Sequence, residues 1–277
     1  MSFTADGRRG DLRIRAVVLD WLGTTVDFGA SAPGAALAEV FKAEGVPLSA
    51  GETRNVPGRS VREQLWALVG NPSIAERWRR AHSRDCSEAD VARMADAHSA
   101  ALAACIPNHA EPIPGVIDVV RALRVQGIKI GSTADFDASV AEKLVAAAET
   151  RGYRPDCIVT LSDVPEGRPA PWMCFECARR LNVYPTFVMI KADDTLEGIE
   201  EGLHAGMWSV GVAATGRDLG LSPREAIGMA RADFDRRLKD TRARMRAVGA
   251  HFVIDSLAEF LPCLEAIQQR LALGQKP

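Results

Sequence analysis

The chain has no apolar run approaching the roughly eighteen residues that a membrane-crossing helix requires, which argues against a bilayer partner. Its first residues, Met1 to Asp11, are polar and charged and lack the apolar stretch of a secretory signal, so a cytoplasmic location is expected. Charge of one sign is also lacking. A formal net charge of -2 leaves no electrostatic footprint for nucleic acid or an anionic membrane surface, and any anionic substrate must be met by local positive charge. Cysteine clusters are absent as well. Of the six cysteines only Cys174 and Cys177 stand in a C-x-x-C spacing, and with no second cluster to complete a zinc site they read as reduced, structural thiols. There is no internal repeat and no low-complexity tract. What is present, 47% hydrophobic and 25% charged side chains in 277 residues, suffices for a sizeable core in one large domain or two unequal ones.

The segment Asp20-Trp21-Leu22-Gly23-Thr24-Thr25-Val26-Asp27 is the most informative in the chain. It follows the run Ile14 to Leu19, whose lack of polar alternation predicts a parallel strand covered on both faces. Ligands of open α/β sheets gather at the carboxyl ends of such strands, where Asp20 stands. Two readings compete for it: a covalent phosphoryl-transfer nucleophile, or a carboxylate that merely caps the following turn.

Residues 30–108 read as helical, with apolar stripes through Leu37, Val40 and Phe41, through Val61, Leu65 and Leu68, and through Val91, Met94, Ala95, His98 and Leu102. Beyond Pro114 the pattern changes. Short β-rich runs at Ile128 to Ser132, Cys157 to Leu161, Phe187 to Lys191, Trp208 to Val212 and His251 to Ile254 alternate with helix-length stretches, which predicts a doubly wound parallel sheet. Residues 222–248 are rich in Arg, Asp and Ala and predict a solvated surface helix. The expected architecture is α/β, with a core of 1–29 and 109–277 and an inserted all-α module at 30–108.

Three further segments fall where strands of that sheet end: Gly131-Ser132-Thr133, Gly167-Arg168-Pro169-Ala170-Pro171-Trp172, and Lys191-Ala192-Asp193-Asp194-Thr195. Their chemistry is that of a metal-assisted phosphoryl site. Carboxylate oxygens hold Mg2+, which neutralises phosphoryl charge so that another carboxylate can approach, while hydroxyl, backbone N–H and Arg donors hold the remaining oxygens. Each piece has a plainer reading: a strand-end hydroxyl for Thr133, a surface charge for Arg168, a helix N-cap for Asp193-Asp194. Order and strand-end placement together favour a functional site.

In these residues the chain resembles the haloacid dehalogenase (HAD) superfamily, whose four motifs stand in the expected order at Asp20, Ser132-Thr133, Arg168 and Asp193-Asp194. Over nearly its whole length it is similar to the phosphonoacetaldehyde hydrolase (phosphonatase) family, through Asp20 to Asp27, Gly167 to Cys174, Gly198-Ile199-Glu200-Glu201-Gly202, Ala205-Gly206-Met207-Trp208 and Gly249-Ala250-His251-Phe252. The resemblance implies a Rossmann-like core with a C1-type helical cap. It also implies a Mg2+-dependent hydrolase that cleaves a carbon–phosphorus bond of a small phosphonate through an aspartyl-phosphate, as a homodimer joined through its caps. By position it assigns Asp20 as nucleophile and metal ligand, the Leu22 carbonyl and Asp194 as further metal ligands, and Thr133 and Arg168 as phosphoryl-binding groups. Gly23, Thr24 and Ser132 would line the substrate.

Two positions depart from the pattern. Most phosphatases of the superfamily place a second Asp two residues after the nucleophile as acid and base; here Leu22 cannot move a proton, which disfavours a general phosphomonoesterase. The phosphonatase family supplies an electron sink through an iminium on a cap lysine, expected within Asn55-Val56-Pro57-Gly58-Arg59-Ser60-Val61-Arg62, where Arg59 stands instead. A guanidinium does not form a Schiff base under ordinary conditions. Lys42, the only lysine in 30–108, is expected to face solvent, and Lys191 to be structural or phosphate-supporting. Asn55, Arg59 and Arg62 are therefore candidate substrate contacts, the two arginines sharing a helix face and gripping an anion, with imine-free cleavage as the corollary. The plainer reading makes both arginines exposed charges. Competing functions are a phosphatase acting on a small phosphate ester, a metal-independent dehalogenase in which aspartate attacks carbon, and a binding protein that has lost catalysis.

Overall fold

The computed structural model describes residues 12–54, 56 and 60–277. Six parallel strands form one sheet in the order β3-β2-β1-β4-β5-β6. They are β1 (Ala16–Asp20), β2 (Lys129–Ala134), β3 (Cys157–Thr160), β4 (Met189–Asp193), β5 (Trp208–Val212) and β6 (Phe252–Ile254). Every residue of β1, β4 and β5 is buried, as the unbroken apolar run before Asp20 requires of a strand covered on both faces. This is the doubly wound order whose direction reverses between β1 and β4, the place where such sheets open a crevice at their carboxyl ends. Register completes the placement: Asp20 lies opposite Thr133 on β2, and Leu19 opposite Ala192 on β4, so Asp20 is level with Asp193.

Four helices interrupt the core between β1 and β2: α1 (Ala32–Ala43), α2 (Val61–Val69), α3 (Pro72–His82) and α4 (Glu88–Cys105). Leu37, Val40, Phe41, Leu65, Leu68, Ile74, Trp78, Val91 and Met94 form a hydrophobic cluster of their own. At the sheet-facing ends of α1 and α4, Ala32, Ala36, Leu102 and Ala103 belong instead to the main core. Helix starts are written locally. Ser60 and Ser87 close capping boxes with Glu63 and Asp90, and Asn71 caps α3 ahead of Pro72, features each worth about 1 kcal/mol.

The remaining helices are α5 (Val116–Val125), α6 (Ala138–Glu149), α7 (Trp172–Leu181), α8 (Leu196–His204), α9 (Pro223–Gly228), α10 (Arg231–Ala247) and α11 (Phe260–Ala272). The single helix expected over 222–248 is thus two, because Met229 and Ala230 adopt extended backbone after Gly228. Strand limits also shift. β2 runs from Lys129 on to Ala134, which places Thr133 inside the strand, β4 spans Met189–Asp193 after a 3-10 turn over Thr186–Val188, and β3 and β6 are each one residue shorter than expected. Cys174 and Cys177 lie buried on α7, and all six cysteines are free thiols. Among the described residues no helix is long and apolar enough to cross a membrane.

Candidate active site

Asp20 ends β1 as a buried carboxylate, and its Oδ1 accepts a 2.6 Å hydrogen bond from Arg168 Nη2. Arg168 reaches it from the loop before α7, with a side chain only 5% exposed. The same guanidinium donates to Thr133 Oγ1 at 3.0 Å and to Glu201 on α8 at 3.2 Å, and lies 3.3 Å from Asp193 Oδ2. Lys191, fully buried on β4, donates to Thr133 Oγ1 at 2.5 Å and pairs with Asp193 at 3.0 Å and Glu201 at 3.3 Å. Two cationic donors thus occupy the lone pairs of the Thr133 hydroxyl. Its proton is left to donate outward, to an anion placed over the sheet.

The turn after β1 is shaped around Asp194. Gly23 adopts φ +83°, and a Cβ there would stand 2.7 Å from Asp194 Oδ2. Thr24 Oγ1 donates to Asp194 Oδ1 at 3.1 Å, and the backbone N–H of Arg217 donates to Oδ2 at 2.8 Å. Thr25 fastens the turn through its hydroxyl to the Asp20 carbonyl at 2.9 Å. The Leu22 carbonyl takes part in no hydrogen bond among the described residues.

Ligand atoms of Asp20, Asp193 and Asp194 lie within 4.8 Å of one another. Burial and the nearby Asp193 push Asp20 up to about 6 against the pull of Arg168 and Lys191. Asp194 is raised well above the ordinary carboxylate range by burial and by Asp20 and Asp193. For Asp193 burial acts upward too, but Arg168 and Lys191 outweigh it and hold that carboxyl at about 2. The three acids are therefore not equivalent. Asp193 has its charge met by two protein cations and its Oδ1 engaged by Thr195, whereas Asp20 and Asp194 crowd each other, the arrangement a divalent cation relieves. The clustered carboxylate oxygens are the hard donors that Mg2+ takes.

Several expected contacts sit elsewhere. Ser132 points away from Thr133, as alternation along a strand dictates, and donates to the Leu19 carbonyl at 2.6 Å; it ties β2 to β1 instead of lining the substrate. Arg62 is an exposed residue of α2 in an ion pair with Glu88 on α4, away from Asp20 and its partners. The helix cap that Asp193-Asp194 might have provided is supplied by Thr195, which accepts from Gly198 N. Asn55 and Arg59 lie outside the described residues. Lys42 is exposed beside Glu39, and Lys191 is held as an ammonium well above its ordinary value, since Glu201 and Asp193 outweigh the effect of burial.

Sequence reasoning gave no role to Glu201 or Arg217. Glu201 was signalled only by glycines around it: a Cβ at Gly202 would meet the Lys191 side chain at 2.7 Å, so α8 is pressed onto β4 at that point. Arg217 carried no local signal, because it sits in an irregular loop after β5. Beside that loop a cavity of about 460 Å³ opens between α1, the segment after it and the 217–225 region, lined among others by Thr53, Arg54, His109, Arg217 and Glu225. None of Asp20, Thr133, Arg168 and Asp194 lines it; Arg217 links the two sites.

The comparisons agree with this geometry. A family model described as haloacid dehalogenase-like hydrolase matches residues 14–206. A phosphonoacetaldehyde hydrolase-like protein of Syntrophobacter fumaroxidans is 43% identical over 264 residues, covering 95% of each chain. A phosphonoacetaldehyde hydrolase of Nitratidesulfovibrio vulgaris is 40% identical over 264 residues, covering 95% of this chain and 94% of its own. The crystal structure of a phosphonoacetaldehyde hydrolase-like protein from Oleispira antarctica superposes with a TM-score of 0.84 at 35% identity, over 100% of both chains. With a buried aspartate at the switch point of a six-stranded parallel sheet and relatives of this closeness along its length, the chain belongs to the haloacid dehalogenase-like hydrolases and is similar to their phosphonoacetaldehyde hydrolase members.

Proposed function

We propose that the protein is a Mg2+-dependent hydrolase of the carbon–phosphorus bond in a small phosphonate, acting through an aspartyl-phosphate on Asp20. The observation that carries this is the meeting of Asp20, Thr133, Arg168 and Asp194 within one buried cluster, in a chain whose relatives are named phosphonoacetaldehyde hydrolase. Bound at Asp20, Asp194 and the Leu22 carbonyl, Mg2+ would offset phosphoryl charge as the carboxylate approaches. Arg168 and the outward hydroxyl proton of Thr133 hold phosphoryl oxygens, and Lys191 keeps that hydroxyl oriented. Asp20 attacks phosphorus, the P–C electron pair leaves with carbon, and solvent protonates the departing fragment. Water then releases inorganic phosphate and restores Asp20.

The leaving carbon needs an electron sink, and the helical insertion, which we read as the cap, offers no buried lysine: Lys42, the only one in 30–108, is exposed and paired with Glu39. We therefore take the sink to be a carbonyl on the substrate itself, without an imine. A cap-to-cap homodimer in the cytoplasm belongs to the same reading and is checked by sedimentation equilibrium and cell fractionation. The direct test is phosphate release, with Mg2+ and with EDTA, from phosphonoacetaldehyde and phosphonopyruvate, beside borohydride treatment during turnover. Release that needs Mg2+ and survives borohydride is expected. Phosphate release from monoesters but from neither phosphonate would replace this reading with a phosphatase.

A further inference from the structure

Arg217 is held over the site by its backbone. A Cβ on the preceding Gly216 would come within 2.5 Å of Asp194 Cβ, so the chain lies flat against that carboxylate as Arg217 N–H donates to it. The loop is anchored on both sides. Thr215 donates through Oγ1 to the Gly23 carbonyl at 2.7 Å and accepts from Gly29 N at 2.7 Å, while Leu219 and Leu221 are buried in a cluster with Ile199, Leu238 and Met245. Neither glycine nor threonine here tolerates much displacement, so the guanidinium starts from a fixed point.

Arg217 is half-buried, yet among the described residues its guanidinium makes no ion pair and no side-chain hydrogen bond. Its neighbours are otherwise. Arg54, in the same cavity, is neutralised by Glu225 at 2.5 Å, and Arg168 divides its donors among Asp20, Thr133 and Glu201. Burial lowers the Arg217 pKa, but Asp135, Asp194 and Asp20, in that order, outweigh it; the guanidinium therefore sits within electrostatic reach of the phosphoryl site while lining the cavity beside it. Five N–H donors in a rigid fork, half-buried and in no ion pair among the described residues, suit a bidentate anion supplied from outside the chain.

We infer that Arg217 binds a carboxylate on the carbon side of the scissile bond, so that the preferred substrate is a carboxylated phosphonate and not a neutral aldehyde; this rests on the phosphonohydrolase reading above. An oxo group between the two anions accepts the electron pair of the broken P–C bond as an enolate, which a proton from water then converts to the keto acid.

Calorimetric titration of the Mg2+-loaded protein tests this with two probes, phosphonoacetate and methylphosphonate, in the parent, Arg217→Gln and Arg217→Lys, while phosphate release from phosphonoacetaldehyde and phosphonopyruvate is followed in parallel. The parent binds phosphonoacetate about tenfold or more tightly than methylphosphonate. Arg217→Gln brings that ratio to about one with methylphosphonate affinity kept within about threefold, and Arg217→Lys restores part of the preference. Absence of the preference in the parent, or equal weakening of both probes in Arg217→Gln, overturns the inference while leaving phosphonate hydrolysis standing. If neither probe binds and neither phosphonate releases phosphate, the functional reading itself fails and the inference with it.

Discussion

The cluster around Asp20 and the cavity beside α1 are neighbours built on opposite terms. In the first, Arg168 and Lys191 each meet two or more acids at 2.6–3.3 Å, and the strand that carries Lys191 is locked in register with β1. In the second, backbone comes mainly from helix ends and loops, Arg54 and Glu225 cancel each other, and the Arg217 guanidinium makes no ion pair among the described residues. The difference separates two tasks. On the proposed function, a phosphoryl group is the same in every substrate and would be met by fixed, mutually supported charges, whereas the leaving fragment varies and would be met by groups that a few substitutions can change.

The strongest way to break this contrast is to remove a buried cation. Lys191→Met leaves Asp193 and Glu201 short of a partner, and a loss of about 3–5 kcal/mol in urea unfolding is expected. Loss of less than about 1 kcal/mol would mean that the cluster is not mutually supported. Next, Thr133→Val keeps shape but removes both the outward proton and the acceptor that Arg168 and Lys191 share; kcat/KM on the best phosphonate should fall about a hundredfold, with stability lowered by about 1–3 kcal/mol. If KM alone rises, Thr133 serves ground-state binding only.

The pH dependence sharpens the comparison further. Asp20 titrates at about 6 in the folded, metal-free protein against 3.8 unfolded, so its ionisation costs stability as pH rises from about 4 to about 6. Asp193 runs the other way: its pKa of about 2 contributes stability that is present above 3.8 and disappears as pH falls toward 2. Without metal, Asp20→Asn should therefore stabilise the protein at pH 7 by about 2 kcal/mol and by nothing near pH 3, measured by thermal melts. A variant less stable than the parent at pH 7 would show that the Arg168 pair outweighs burial. Smaller effects separate tie residues from the site. Ser132→Ala should cost about 1 kcal/mol through its lost bond to the Leu19 carbonyl, leaving kcat/KM within about twofold. Arg62→Ala, at an exposed ion pair with Glu88, should move stability by less than about 1 kcal/mol and kcat/KM not at all.

The Asp20 cluster was legible as a place because its signals are local and periodic. An unbroken apolar strand ending in Asp20 predicts its own burial, and β-strands at later intervals predict neighbours whose ends carry Thr133 and Asp193-Asp194. Strand phase was not legible: either Ser132 or Thr133 had to face the cluster, and the hydrogen bonds of Ser132 to Leu19 and of Arg168 and Lys191 to Thr133 decide which. Arg62 looked like a site residue from its three-residue spacing to Arg59, but its partner lies 26 positions away on another helix, beyond any local pattern. Arg217 stayed hidden for the same reason in reverse. It belongs to no periodic element, and its importance comes from a loop folded back against Asp194.

The central claim is that Asp20 takes the phosphoryl group from carbon. It is tested most directly by acid-quenching a single turnover of phosphonate with Mg2+-loaded protein and weighing the peptides. The account predicts one added phosphoryl group on the peptide holding Asp20, absent in Asp20→Asn, which should also lose turnover by roughly four orders of magnitude. Phosphate release with that peptide unmodified, or release that persists in Asp20→Asn, would contradict it.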